Sequence, residues 1–432
     1  MRHLPSRHTI LRATCVAVTL LTLVESGRAE QEQRPHEAQF STANAKQEEL
    51  LVEVVAGRHD RQRTPIFLEL PEALRDHTAF SLVRIDTDRV IDVQVLAGET
   101  PRLVWILAEP LPAGSVRRYR LVPSGASREK SPTVTCRDNG RQILLAVGDR
   151  PVLNYNHVVV DPPPGIDAHY RRGGHIHPLF SPAGIPVTDD FAPDHAHQHG
   201  VFFAWVNTTF EGRPIDFWNQ AKEQGQVEHI ALKEPVSGPV FGQFVATLRH
   251  SDMTAPDGPK PVLEETWTVR VYNVREQFVI DFESRQRCVA DHPLAVNEYH
   301  YGGMAIRGSR QWFGQPGADF VTSEGKTRED GNHTRPRWVE MYGKVDGRPS
   351  GVLVMGDPSN FRSPQPVRLH PEKPYFCFAP MVLGPFEIKP GEEYVSRYRY
   401  CTHDGSPDTA LADRLWSDYG HPPEVRLRRV KP

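Results

Sequence analysis

The residues best equipped for chemistry lie between His175 and Asn219, in HIHPLFSPAGIPVTDDFAPDHAHQHGVFFAWVNTTFEGRPIDFWN. The window holds five histidines and two tryptophans, with Asp189, Asp190 and Asp194 among them. Polar groups this dense beside aromatic rings are costly to fold unless they line a site or a wet surface. The sharpest part is Asp194-His195-Ala196-His197-Gln198-His199-Gly200. On an extended backbone alternate side chains share a face, so His195, His197 and His199 are expected to point the same way. A histidine titrates near pH ~6.5 and, with a carboxylate alongside, can move protons at neutral pH. Asp189, Asp190 or Asp194 can supply that carboxylate. His175 and His177 repeat the H-x-H spacing upstream.

Three readings compete for these histidines. Acid–base work or substrate binding comes first. Hydrogen bonding that merely orders a proline-rich loop comes second. A divalent metal held by His195, His197 and His199 comes third. A cupin-like site would need a glutamate soon after the H-x-H pair, and none is present. No cofactor is therefore expected, with a divalent metal as the alternative. Elsewhere, Glu298 sits beside Tyr299, His300 and Tyr301 and is a second acid–base candidate. Trp205, Trp218, Trp267, Trp312 and Trp338 offer flat faces that match the C–H faces of sugars. Arg307, Arg335, Arg337 and Arg362 offer forked hydrogen bonds to carboxylate or hydroxyl groups. Taken singly, each tryptophan is more often core and each arginine a surface charge. G-x-S-x-G, P-loop and G-x-G-x-x-G contexts are missing, so nucleotide and lipase-type functions find no support.

Many short strands must position these groups. The 432 residues include 39 prolines and 32 glycines, with 38% hydrophobic and 24% charged residues. From Glu49 to Pro123, LLVEVVAG, PIFLELP, FSLVRID, VIDVQVLAG, RLVWILAE and YRLVP suggest a small β-sandwich over 48–126. SGASREKSPT reads as a linker. A large antiparallel double-sheet sandwich is expected over 133–425. ILLAVGDRPVLNYN gives two strands around a Gly-Asp turn. Pro178, Pro182, Pro186 and Pro193 keep 178–194 irregular, and VFFAWV is a buried strand. Residues 313–348 read as a long polar insertion of the kind that forms a lid. Only 409–420 reads as a helix, with Leu411, Leu415 and Trp416 on one face.

The first 29 residues read as a secretory signal: Arg2, Arg7 and Arg12, an apolar run from Ala13 to Val24, then Gly27-Arg28-Ala29. Residues 30–47 read as a disordered leader. Loss of residues 1–29 removes four Arg and one Glu, taking the formal charge from −3 to −6. That balance leaves no basic excess for nucleic acid, and no later segment reaches membrane-spanning length. A secreted or periplasmic protein with a small-molecule or oligosaccharide partner is expected. Cys136, Cys288, Cys377 and Cys401 then remain; Cys377 and Cys401 are the best candidate pair, but four buried thiols are the favoured reading.

The motifs HPLFSPAGIPVTDDFAPDHAHQHGVFFAW, YGGMAIRG, RPRWVEMYG, GVLVMGDPSNFRSP, CFAP and KPGEEYVSRYRY resemble a bacterial family labelled PmoA-like, also catalogued as domain of unknown function 6807. The resemblance covers roughly residues 140–405. The label borrows the name of a methane monooxygenase subunit, an integral membrane protein, and a chain without spanning helices argues against that activity. The family pattern reads D-H-P-H-H-R-G; His195 and His197 match it, whereas His199 stands where an arginine is expected. His177, Asn360 and Arg362 also match. The family is typical of polysaccharide-degrading bacteria, and its strand pattern resembles galactose mutarotase-like supersandwiches. These points together imply an exported carbohydrate-active hydrolase, lyase or epimerase. Its catalytic set would be His177, Asp194, His195, His197 and Glu298. Substrate contacts would come from Trp205, Tyr301, Arg307, Arg337, Trp338, Asn360 and Arg362. The alternatives are a non-catalytic glycan-binding protein and a metal-dependent oxygenase.

Overall fold

Two eight-stranded antiparallel sheets face each other across the largest core. They belong to a computed structural model that describes residues 50–124 and 133–429. The expected signal (1–29) and leader (30–47) lie outside the described residues, as does most of the expected linker. The first sheet runs, in order, Val367–Leu369, Tyr375–Phe378, Gly303–Arg307, Val201–Ala204, His175–Leu179, Arg150–Asn156, Gln142–Val147 and Val134–Asp138. The second contains the long strands Phe241–Asp252, Lys260–Tyr272, Phe278–Cys288 and Glu393–Asp404. Among the described residues no helix is long and apolar enough to cross a membrane.

Alternation explains why these segments are strands. Trp267, Val269 and Val271 are fully buried in the shared core, while Thr266, Thr268 and Arg270 between them are only partly covered. Each such aliphatic side chain contributes roughly 1.5–3 kcal/mol when taken from water. The second sheet is also covered on its outer face. There Phe241, Tyr272, Val279, Leu353 and Cys401 pack with Leu96 and Val104 and with Ala412 and Leu415 of the helix Thr409–Gly420. Asp408 caps that helix by accepting from the Leu411 N–H at 3.0 Å.

Leu96 and Val104 belong to a three-stranded sheet that packs on a five-stranded one around Val52, Val54, Leu68, Leu103, Trp105 and Leu121. The strand Glu424–Arg429 lies at the edge of the five-stranded sheet, paired residue by residue with Leu50–Val55. The last described strand thus pairs with the first. The four described cysteines are buried free thiols. Residues 313–348 differ from the expected polar insertion. Asp319–Thr322 and Trp338–Val345 are strands of the second sheet, and burial of Phe320, Trp338, Val339 and Met341 holds them there.

Residues 178–194 are less irregular than their prolines suggest. Asp190–Ala192 pairs with His195–His199 in a two-stranded ribbon. Gly200 carries the chain from this ribbon into the sheet at φ +55°, and a Cβ there would stand 2.1 Å from the Ile176 carbonyl oxygen. Only glycine permits that approach.

Candidate functional site

The ribbon and three other segments line a cavity of about 180 Å³. His195, His197 and Gln198 line it from the ribbon, Trp218 and Asn219 from the segment after Ile215, and His300 and Tyr301 from the approach to Gly303–Arg307. Arg368 lines it from the strand Val367–Leu369, His370 from the turn that follows and Tyr375 from the start of Tyr375–Phe378. Rings form much of the wall. Trp218 is buried edge-on against Tyr301, at 5.3 Å between centroids, and against Tyr375 at 5.9 Å. Asn219 donates to the Tyr301 hydroxyl at 3.0 Å. No Asp or Glu lines the cavity among the described residues.

Behind the wall runs a chain of charges. Arg307 is fully buried and donates to both carboxylate oxygens of Asp194, at 2.7 and 3.1 Å, and to Gln198 at 2.9 Å. This bidentate fork fixes the carboxylate. Asp194 lies 3.6 Å from both the Lys373 ammonium and Nδ1 of His195. Lys373 lies 2.6 Å from Nδ1 of His195 and 3.3 Å from Nε2, and the shorter contact makes Nδ1 the acceptor. An imidazole that accepts at Nδ1 keeps its proton on Nε2. His370 is set the same way, because its Nδ1 accepts from the backbone N–H groups of Glu372 and Lys373, each at 3.1 Å.

Burial holds these imidazoles neutral. It lowers His195, with the Lys373 charge adding to the effect. It takes His197 down to about 3, helped by His195, and His370 to about 4, helped by Arg368. Burial likewise raises the Tyr301 hydroxyl to about 12. The Arg368 guanidinium has no hydrogen-bond or ion-pair partner among the described residues, and it is half-buried at the cavity.

A family model described as a family of unknown function (DUF6807) matches residues 142–417. The chain belongs to this family. Among curated proteins none matches the DUF6807 chain in sequence. A glycosyl hydrolase family 38 protein from Enterococcus faecalis is similar at 11% identity and TM-score 0.44, over 89% of this chain and 48% of that one. An alpha-mannosidase from Enterococcus faecalis V583 is similar at 9% and 0.40, over 89% and 46%. A galactose mutarotase related enzyme from Lactobacillus acidophilus is similar at 10% and 0.29, over 62% and 97%. The DUF6807 chain spans about half the length of the first two. Its all-β antiparallel double-sheet architecture rests on its own strand pairing.

In this DUF6807 member the expected site residues divide into groups. His195, His197 and Tyr301 share the cavity, and Asp194 and Arg307 stand directly behind it. His199 does not join His195 and His197 as a third ligand. A bulge in the ribbon turns it inward, where Nδ1 lies 2.7 Å from Asp190 and Nε2 lies 2.8 Å from the Gln220 side-chain oxygen. His177 is partly buried, bonded through Nδ1 to Thr188 at 3.1 Å and lowered to about 4 by burial. Glu298 is exposed and away from the cavity lining; its backbone carbonyl accepts from Asn207. Trp205 is fully buried and donates to Gln286 at 2.6 Å, so it is core.

Four further candidates cluster elsewhere. Arg337 and Asn360 line a different cavity of about 270 Å³, with Trp416 and His421. Trp338 is buried near it and donates to Asp413 at 2.9 Å. Asn360 serves the backbone, exchanging bonds with the N–H and C=O of Arg397. Arg362 binds the carbonyls of Pro380, Gly384 and Pro385, which makes it a clamp on that turn. Sequence reasoning missed Arg368, His370, Lys373 and Tyr375. Their signal was present in RLHPEKPYFCF: titratable residues on and beside a proline-flanked loop entering an apolar strand, as in the histidine-rich stretch.

Proposed function

We propose that this protein is a carbohydrate-active enzyme that cleaves a C–O bond in a sugar acid, with His195 protonating the leaving oxygen. The observation that carries the reading is Arg368. Among the described residues it is an arginine without a protein carboxylate, beside a cavity whose wall holds donors and rings but no acid. Such a guanidinium suits a carboxylate brought in by the ligand, held through two parallel hydrogen bonds. The volume is below the roughly 300–1,000 Å³ of sites for drug-sized ligands, which suits a single ring. Trp218, Tyr301 and Tyr375 give that ring flat or edge-on apolar partners.

The hydrogen bonds support one proton path. His195 presents Nε2–H, and Lys373 stands on its Nδ1. As Nε2–H passes to the leaving oxygen, Lys373 can replace the lost proton through Nδ1. Asp194, fixed by Arg307, balances the charge beside the pair. The acid-free cavity disfavours a glycosidase built on two carboxylates. Elimination next to the substrate carboxylate fits better: neutral His197 would take the proton from the carbon alpha to that carboxylate, the C–O bond beta to it would break as the C=C bond forms, and Arg368 would stabilise the charge developing on the carboxylate. An exported protein of polysaccharide catabolism agrees with the leader-like N-terminus.

The test is a screen of uronate-containing and neutral glycosides with wild type and with His195→Asn. The reading expects product from an acidic glycoside and its loss in the variant. Turnover of neutral glycosides alone, or turnover indifferent to His195→Asn, would contradict it. Binding without turnover would favour a glycan-binding protein.

A further inference from the structure

On the inner side of the ribbon, His175, Asp190 and His199 bring three ligand atoms within 4.8 Å of one another. Both imidazoles are fully buried and the carboxylate nearly so. Asp190 takes one oxygen to Nε2 of His175, at 3.1 Å, and the other to Nδ1 of His199, at 2.7 Å. We infer that these three residues hold a divalent first-row transition-metal ion, a site separate from the cavity that His195 lines.

The hydrogen-bond inventory leads there. The amide nitrogen of Gln220 faces the carbonyls of His169, Tyr170 and Arg171, the nearest at 3.1 Å, so its side-chain oxygen must be the atom turned to His199. That oxygen only accepts, and His199 therefore carries its proton on Nε2. A neutral His199 then aims the Nδ1 lone pair at a buried carboxylate oxygen, lone pair against lone pair. A cation between them removes the conflict.

His175 has a related problem. The Asn156 amide nitrogen is oriented by the His177 carbonyl, at 2.9 Å, while its oxygen accepts from Gln142. It meets Nε2 of His175 at 3.3 Å, and Nδ1 of His175 has no partner among the described residues. Nε2 thus has reason to keep a lone pair, and that lone pair also faces Asp190. Arg172 is buried nearby, but among the described residues its guanidinium donates to the Phe203 carbonyl and not to Asp190.

Geometry and donor type agree. Two bonds of about 2.0–2.1 Å at a tetrahedral angle separate their donors by about 3.3 Å; the His175 edge to Asp190 is 3.1 Å, and the His199 edge, 2.7 Å to the other carboxylate oxygen, would spread on binding an ion. Two imidazoles and one carboxylate, with no sulfur, suit zinc, iron or manganese better than copper(I). Gln220 on the far nitrogen of His199 is the outer hydrogen bond that orients a metal-binding imidazole. The alternative is an imidazolium–carboxylate pair with no ion.

The test uses the full chain, stripped with a chelator and titrated with ZnCl₂ and, for its absorption spectrum, with CoCl₂. Wild type is expected to take up about one equivalent. It should also gain ligand-field bands with cobalt and melt at a higher temperature with either ion. Asp190→Asn and His175→Ala, checked for folding by circular dichroism, are expected to lose the uptake and the cobalt bands. His195→Asn is expected to keep both, which separates this site from the proton-transfer reading. Lack of uptake by wild type would overturn the inference, as would uptake that Asp190→Asn leaves intact. Should both substitutions unfold the chain, the wild-type melting shift and cobalt spectrum decide alone.

Discussion

Lys373 Nζ lies 2.6 Å from Nδ1 of His195, across 178 positions of sequence. The pair is made by the fold alone: one residue lies on the ribbon, the other on the turn before Tyr375–Phe378. A cation against an imidazole disfavours the imidazolium, and the Lys373 charge adds to burial in lowering His195. Lys373→Met removes that charge, so the His195 pKa should rise back toward the ordinary value of about 6.5. Titration of the imidazole C–H resonances by NMR checks this. An unchanged or further lowered midpoint would count against the contact.

Arg307 and Asp194 form the most buried ion pair behind the cavity, with the arginine fully covered. Asp194→Asn leaves the Arg307 charge without its bidentate partner. Removing one member of a buried pair costs roughly 3–5 kcal/mol, and the partial exposure of Asp194 places this variant toward the lower end. Urea denaturation measures it. Arg307→Met with Asp194→Asn together should cost less than the two single changes summed.

Gly200 joins the histidine ribbon to the sheet at positive φ, with the Ile176 carbonyl where a Cβ would go. Gly200→Ala is therefore expected to destabilise the fold by at least about 2 kcal/mol. It should also disturb His195 and His199 together, seen as coupled shifts of both imidazole resonances. A neutral effect on stability would show that the turn relaxes freely.

Local pattern carried much of the architecture. Period-two runs such as Thr266–Val271 marked their strands because one face is core and the other is not. The helix 409–420 was legible from one apolar face. Residues 313–348 were misread because polar turns surround two short strands whose burial comes from distant partners. The site was half legible. Composition singled out the ribbon, and alternation placed His195 beside His197, with ring centroids 5.2 Å apart. The bulge that turns His199 toward Asp190 has no local signature. Arg368, His370 and Lys373 come from a hairpin far along the chain, and only sheet order brings them to the ribbon. Asn360 and Arg362 show the converse: matched motif residues whose bonds all go to backbone.

The claim that the cavity recognises an acid can be measured directly by calorimetric titration of wild type and Arg368→Gln with glucuronate, galacturonate and their neutral parent sugars. The expected result is binding of a uronate by wild type, at least about tenfold weaker in Arg368→Gln, a difference of about 1.4 kcal/mol, with the neutral sugars weak in both. Equal binding of acidic and neutral sugars, or a uronate affinity that Arg368→Gln leaves unchanged, would contradict it.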